Sequence, residues 1–200
     1  MGPRHAADLA DYVLSAGGSL TTLRCGSNPG MVGELDRHGR LKTPDVHIES
    51  FRQLCEALKP SQVTEVDFSG CGLGPLGAGC VADYVRNAIA AIKSIVLDGC
   101  EITGSKIKYK GESYEQIEQL DADLSGFTSL CSALGSSQIA TISLRKCYLG
   151  PQAIALLADS IKVMAAIASL SIAGAFTPAM DYLVTLLPPI TRLSCNLGWA

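Results

Sequence analysis

The chain has 200 residues, of which 48% are hydrophobic and 18% are charged, and its formal net charge at pH 7 is −3. Such a composition supports a sizeable core, and it excludes the disordered, collagen-like and disulfide-rich miniprotein classes. The small negative charge argues against a general nucleic-acid binder, and residues 1–14 contain no apolar stretch long enough for a signal peptide.

Six segments carry apolar residues at positions i, i+3, i+4 and i+7, which is the spacing of an amphipathic helix with one buried stripe. In chain order these segments are 6–13, 51–58, 78–85, 127–134, 154–161 and 176–183. Pro75, Pro151 and Pro178 stand close to where three of the helices should begin. Proline suits that place because the first helical turn leaves its N–H groups unpaired.

A short triplet follows each predicted helix, with an apolar residue on either side of a variable one. The triplets are 23–25, 66–68, 95–97, 142–144, 170–172 and 193–195. Each should form a strand whose outer residues enter the core while the middle residue faces solvent. Strands joined through helices must run parallel. Right-handed crossovers would then coil the chain into an arc, with the strands inside and the helices outside.

Two long connections interrupt this alternation. Residues 34–42 and 107–114 each alternate around a glycine turn, which predicts two small β-hairpins. The hairpins recur two units apart and should project from the same edge of the arc. Their side chains are candidates for protein recognition, namely Arg37, Arg40, Tyr109, Lys110 and Tyr114. The alternative is that the hairpins only cover the loop edge of the sheet.

The chain is also internally repetitive. A shift of 76 residues lays FRQLCEALKPSQVTEVDFSGCGLGP over FTSLCSALGSSQIATISLRKCYLGP, with Phe51 over Phe127 and Cys71 over Cys147. A shift of 72 residues lays LADYV over VADYV. Self-similarity of this kind is typical of stacked repeat proteins, in which each unit buries its apolar face against its neighbours.

The best-preserved copies, VDFSGCGLG and ISLRKCYLG, place a cysteine shortly after the strand, followed by an apolar residue and a glycine. This pattern resembles the leucine-rich repeat of the ribonuclease-inhibitor-like subtype, and the resemblance spans almost the whole chain. It implies an α/β fold, a right-handed leucine-rich-repeat solenoid (horseshoe arc) with parallel inner strands, outer helices and two inserted hairpins. Residues 1–200 would form a single domain of about six units. Since neither end shows a polar capping unit, we expect a segment of a longer array or self-association through the uncapped ends.

Seven of the eight cysteines occupy equivalent positions of the repeat. Cys71, Cys100 and Cys147 share a turn position, and Cys55 and Cys131 share a helix position. The sequence has no CxxC pair, and its three histidines lie outside any metal-ligand spacing. We therefore expect neither zinc nor disulfides, and no cofactor. Free thiols used as small core residues indicate a reducing compartment, which is the cytoplasm or the nucleus.

Two further classes of function are disfavoured. Residues 163–180 carry no charge and are long enough for a membrane span, but the repeat register divides them between a helix end, a strand and a loop. We expect no membrane partner. The glycine-rich residues 70–79 lack the Gly-Lys-Ser/Thr of a Walker loop and the Rossmann glycine triplet, and no Ser-His-Asp set can be assembled. Catalysis is not expected, and an enzyme acting through Asp67 and Asp98 is the weakest alternative.

The middle residues of the strands and their neighbours should align into a concave strip, which is the candidate protein-binding site. The strip comprises Arg24, Glu65, Asp67, Val96, Asp98, Ser143, Arg145, Ser171, Arg192 and Ser194. Its acidic patch (Glu65, Asp67 and Asp98) would lie beside a basic one (Arg145 and Arg192), a polarity that orients a partner. The alternative is that exposed strand positions are polar only because they face water.

These patterns predict a non-catalytic scaffold for protein–protein interaction, whose partner is another protein. The same repeat subtype occurs in Ran GTPase-activating proteins and NOD-like receptors. The resemblance therefore also implies a second candidate function, a regulatory module for a GTPase or an innate-sensor-like protein. No residue-level motif of the chain supports that second function.

Overall fold

The computed structural model describes residues 2–16, 18–110, 114–173 and 192–196. For residues 108–110, 114–116 and 192–196 it describes the backbone alone. The predicted helix at 176–183 lies outside the described residues. The same holds for the side chains of five candidate site residues, which are Tyr109, Lys110, Tyr114, Arg192 and Ser194.

Five helices occur where the apolar period predicts them. They are α1 (Pro3–Ser15), α2 (Ile48–Leu58), α3 (Pro75–Asn87), α4 (Ser125–Gly135) and α5 (Pro151–Val163), and a 3-10 turn spans Pro29–Met31. Each helix buries its apolar stripe, as Phe51, Leu54 and Leu58 do on α2. Pro75 and Pro151 lie in the first turns of α3 and α5, which confirms the predicted helix starts. Within the described residues, no helix has both the length and the apolar character that crossing a membrane requires.

Ten strands lie in the described part of the chain. They are β1 (Thr22–Arg24), β2 (Glu34–Leu35), β3 (Leu41–Thr43), β4 (Glu65–Asp67), β5 (Ser94–Val96), β6 (Lys106–Lys110), β7 (Tyr114–Gln119), β8 (Thr141–Ser143), β9 (Ser169–Ala173) and β10 (Arg192–Asn196). Six of them form one sheet in the order β1-β4-β5-β8-β9-β10, and every neighbouring pair runs parallel. From α1 to β9, helices therefore alternate with the parallel strands of this sheet, which confirms the predicted α/β class.

Side chains alternate across this sheet as predicted. The inward pairs are all buried, namely Leu23 and Cys25, Val66 and Phe68, Ile95 and Leu97, Ile142 and Leu144, and Leu170 and Ile172. They belong to one continuous core together with the buried stripes of the helices. Within it, the rings of Phe51 and Phe68 meet edge to face with their centroids 5.0 Å apart, a favoured aromatic geometry.

The five helices pack in chain order, each against the next. They cover the sheet face that carries the core residues. The opposite face carries the middle residues of the predicted triplets, such as Arg24, Asp67 and Val96, which are the last residues of β1, β4 and β5, and none of the described helices covers it. We call this the open face of the sheet.

The turn cysteines tie neighbouring units together. Each thiol donates a hydrogen bond to a carbonyl oxygen of the preceding unit: Cys71 to Cys25 (3.1 Å), Cys100 to Phe68 (3.4 Å) and Cys147 to Leu97 (3.1 Å). In the first unit Asn28 takes the equivalent place, and its Nδ2 donates to the carbonyl of Cys25 at 2.6 Å. The carbonyl that follows each of β1, β4 and β5 therefore receives a thiol donor from the next unit.

Both long connections form the predicted antiparallel hairpins, β2 with β3 and β6 with β7. Their roots enter the core, however. Met31 and Val32 of the first connection are fully buried, as are Ile102 and Thr103 of the second. The connections therefore fill space between layers as well as carrying hairpins, a role that the alternating pattern of the hairpins alone does not reveal.

Each connection also caps a helix of the following unit. Asp45 ends the first and Asp121 ends the second, and both adopt a positive φ (62° and 54°). Their carboxylates accept N–H bonds at the starts of α3 and α5: Asp45 from Gly74 (2.8 Å), Leu76 (2.8 Å) and Gly77 (3.1 Å), and Asp121 from Gly150 (2.8 Å), Gln152 (2.9 Å) and Ala153 (3.1 Å). An anion in that place satisfies unpaired donors and opposes the helix dipole.

We expect denatured protein to titrate for eight free thiols, while native protein reacts slowly with a thiol reagent. The seven cysteines whose side chains are described are free and buried. Burial raises the pKa of Cys25 and Cys100 to about 11 and that of Cys131 to about 12. Few thiolates are therefore present at neutral pH, and the thiolate is the reactive form. Absorbance titration with and without denaturant measures both quantities, and stable disulfides in freshly purified protein would contradict the expectation.

Candidate functional site on the open face of the sheet

The strand register arranges the open face into two rows. One row runs Arg24, Asp67, Val96, Ser143 and Ser171 across β1, β4, β5, β8 and β9. The other runs Thr22, Glu65, Ser94, Thr141 and Ser169. By backbone pairing, Arg192 and Ser194 of β10 extend these rows. The predicted strip is therefore contiguous along the sheet.

A depression of about 400 Å³ lies at the β1 end of these rows. It is lined by Thr22, Arg24, Glu65, Val66, Asp67, Ser94 and Val96. Two carboxylates and one guanidinium thus surround the same hollow, and the side chain of Val96 supplies apolar surface.

Asp67 is held in place by its own turn. Its Oδ1 accepts hydrogen bonds from the backbone N–H of Ser69 at 2.9 Å and from the Ser69 hydroxyl. No hydrogen bond to Oδ2 occurs among the described residues. Glu65 receives one long contact of 3.5 Å from the Thr22 hydroxyl, and Arg24 forms neither an ion pair nor a side-chain hydrogen bond within the described part of the chain. These charges remain available to a partner.

Asp98 has a different environment, which corrects the predicted acidic patch. Its Oδ1 accepts from the Ser143 hydroxyl (2.6 Å) and from the Arg145 N–H (2.8 Å). Its Oδ2 accepts from Arg145 Nε at 2.8 Å. The predicted acidic and basic patches therefore partly neutralise each other, because Asp98 and Arg145 form an ion pair. Free negative charge on the strip is confined to Glu65 and Asp67.

Ser143 is a second correction. The alternating pattern predicts that it faces solvent, but the residue is only 8% exposed. Its hydroxyl is enclosed because it bonds Asp98, a residue from the preceding unit. Ser143 therefore stabilises the sheet and offers little surface to a partner.

The first hairpin presents a basic tip. Arg37 and Arg40 are exposed, as predicted, and Arg37 Nε donates to Nε2 of His38 at 3.0 Å. The turn is fixed by Asp36, whose Oδ1 accepts the N–H groups of His38 (2.8 Å) and Arg40 (2.9 Å). The bond from the Arg40 N–H, and to a smaller extent the bond from the His38 N–H, lower the pKa of the Asp36 carboxyl. Recognition by either hairpin stays a prediction.

The helical side of the molecule has a separate cavity of about 310 Å³ between α2, α3 and α4. Cys55 and Cys80 line it, and burial raises the pKa of both thiols, which keeps them protonated and weakly nucleophilic. Across the described residues, no three histidine, cysteine, aspartate or glutamate side chains are placed to hold a metal ion.

Comparison with known proteins adds no assignment. Neither a scan against protein-family models nor a search of curated proteins gives a match for this chain.

Proposed function

We propose that the chain is a leucine-rich-repeat solenoid of the ribonuclease-inhibitor-like subtype that serves as a non-catalytic scaffold for another protein. The parallel sheet in chain order and the helix between successive strands of this sheet from β1 to β9 support this assignment. So does the ladder of turn residues, in which Cys71, Cys100 and Cys147 repeat one hydrogen bond to the preceding unit, while Asn28 at the equivalent position of the first unit bonds the carbonyl of Cys25 in its own unit. A repeat of this kind forms an elongated surface suited to binding.

The single observation that carries the binding proposal is the set of free charges in the depression of the open face. Arg24, Glu65 and Asp67 line it together, yet Arg24 has no ionic partner among the described residues. On the same face Asp98 and Arg145 neutralise each other. Charges that a fold leaves unpaired at one end of a surface give that end the polarity by which partners are steered and oriented.

The proposal includes the compartment and the association state. Free buried cysteines are consistent with a reducing environment such as the cytoplasm or the nucleus. The proposal includes self-association with a second copy of the chain as an alternative to a monomer. Size-exclusion chromatography with light scattering distinguishes these arrangements.

We expect the double variant Glu65→Lys, Asp67→Lys to lose its partner protein. Affinity capture from lysate, compared by quantitative mass spectrometry with the unmodified protein, should show recovery reduced at least about tenfold, because like charges brought together in an interface cost several kcal/mol. Thermal unfolding of both proteins establishes that the variant remains folded.

The matched control is the double variant Asp8→Lys, Asp11→Lys on α1. Both aspartates are exposed, so the control makes the same change of net charge away from the open face. Recovery should be unchanged. If the control loses the partner while the open-face variant retains it, binding uses the helical side, and the proposed site is wrong.

A further inference from the structure

We infer that the depression between β1, β4 and β5 takes an arginine side chain of the partner protein, with an acidic residue of the partner beside it. This inference rests on the proposed function and specifies the chemistry that the same site recognises. It is carried by the contrast between the depression, where Arg24 and Asp67 Oδ2 lack partners among the described residues, and the neighbouring Asp98–Arg145 pair, whose charges are satisfied.

The acceptors of the depression are arranged before any partner arrives. Ser69 fixes Asp67 through two hydrogen bonds to Oδ1, which leaves Oδ2 without a donor in the described structure. A fixed acceptor loses little conformational freedom when a ligand binds. Asp98, in contrast, uses both of its oxygens on Ser143 and Arg145. A basic ligand is therefore expected to choose the Asp67 end.

The spacing of the two carboxylates favours arginine over lysine. Glu65 and Asp67 are two positions apart on one strand and face the same way, so their backbone positions are about 7 Å apart along β4. A planar guanidinium carries five N–H donors and contacts two carboxylates at once, whereas an ammonium is a compact, strongly hydrated point charge. Val96, in register with Asp67 on β5, offers apolar surface to the methylene stem of the arginine.

Arg24 determines the second half of the ligand. It is in register with Asp67 on the neighbouring strand, and an approaching arginine would be repelled by it. An acidic residue next to the arginine removes this repulsion and gives Arg24 its missing partner. In an extended segment, residues i and i+2 point to the same side, so an arginine followed two residues later by a glutamate matches the depression.

The test uses three peptides, acetyl-Arg-Ala-Glu-amide, the same peptide with citrulline in place of arginine, and the same peptide with lysine. Each is titrated into ¹⁵N-labelled protein. The arginine peptide should shift the amide signals of residues 22–24, 65–67 and 94–96 in a saturable way. Citrulline has the same shape without the charge, and it should bind about fivefold more weakly, as should lysine. Equal affinities for the arginine and citrulline peptides would overturn the inference.

Two variants locate the binding site. Glu65→Gln and Asp67→Asn should each weaken the arginine peptide about fivefold, the size of one exposed ion pair, while Asp11→Asn on α1 should leave its affinity unchanged. Weakening by Asp11→Asn to the same extent would indicate general attraction to negative charge and would reject the site. If the arginine peptide does not bind but the Glu65→Lys, Asp67→Lys variant still loses its captured partner, the arginine specificity is wrong and the scaffold function stands. If the arginine peptide does not bind and the variant also keeps its partner, both the arginine specificity and the proposed binding site are wrong.

Discussion

Replacing Leu144 with alanine is expected to lower the free energy of unfolding by about 2–5 kcal/mol. Leu144 follows β8 in the middle of the sheet, is 1% exposed, and continues the backbone pairing by donating its N–H to the carbonyl of Ser171 at 2.8 Å. Truncation removes buried methyl groups and leaves a cavity that the neighbouring layers cannot easily fill. Urea unfolding followed by circular dichroism measures the loss, and a change below about 1 kcal/mol would show that the layer is loosely packed.

Two serines of the open face provide the comparison for Leu144. Ser171→Ala should change stability by less than about 0.5 kcal/mol, since that side chain is partly exposed and no hydrogen bond to it occurs among the described residues. Ser143→Ala should cost about 1.5–3 kcal/mol, because its buried hydroxyl bonds a charged carboxylate. Equal effects of the two serine variants would mean that the bond to Asp98 contributes nothing.

Ser143 and Leu144 illustrate what periodicity can predict. The alternation of apolar and variable residues is a local property, so it identified Leu144 as a core residue and placed Ser143 on the opposite face of the strand. The burial of Ser143 depends on Asp98, which lies 45 residues earlier in the chain. Local sequence patterns carry no information about contacts between residues so far apart in the chain. The ion pair between Asp98 and Arg145 was not predicted for the same reason, because the two residues belong to adjacent units.

The repeat contained more information than the alternating pattern alone. Asp45 and Asp121 are separated by the same 76 residues that align the two best-preserved units, and the structure gives them the same capping role. An extension of that alignment into the hairpins would have identified the pair. The role of Asn28 could also have been predicted, since asparagine can replace the turn cysteine as a hydrogen-bond donor. The burial of Met31 and Ile102 could not have been predicted from the sequence, because it depends on how the layers stack.

The close approach of two helices also lies beyond local patterns. Gly126 lies in the first turn of α4, against the start of α3. A Cβ built at Gly126 would overlap the carbonyl oxygen of Pro75 and lie 2.7 Å from the carbon of that carbonyl. It would also lie 3.0 Å from the backbone nitrogen of Gly79. All three atoms belong to the backbone of α3, which cannot move aside as a flexible side chain can.

Gly126→Ala is therefore expected to destabilise the protein by about 3 kcal/mol, at the upper end of the cost of overpacking. The helices must separate, and the shift would reach the Asp45 cap at the start of α3. Gly79→Ala is the matched control. It makes the same chemical change one helix away, and its Cβ would meet no atom within 4 Å. Since alanine is the better helix former, the control should stabilise the protein by about 0.5–1 kcal/mol. In urea unfolding, a lower free energy of unfolding for Gly126→Ala and a higher one for Gly79→Ala would establish the close α3–α4 contact. Stabilisation by both variants would show that the helices stand further apart.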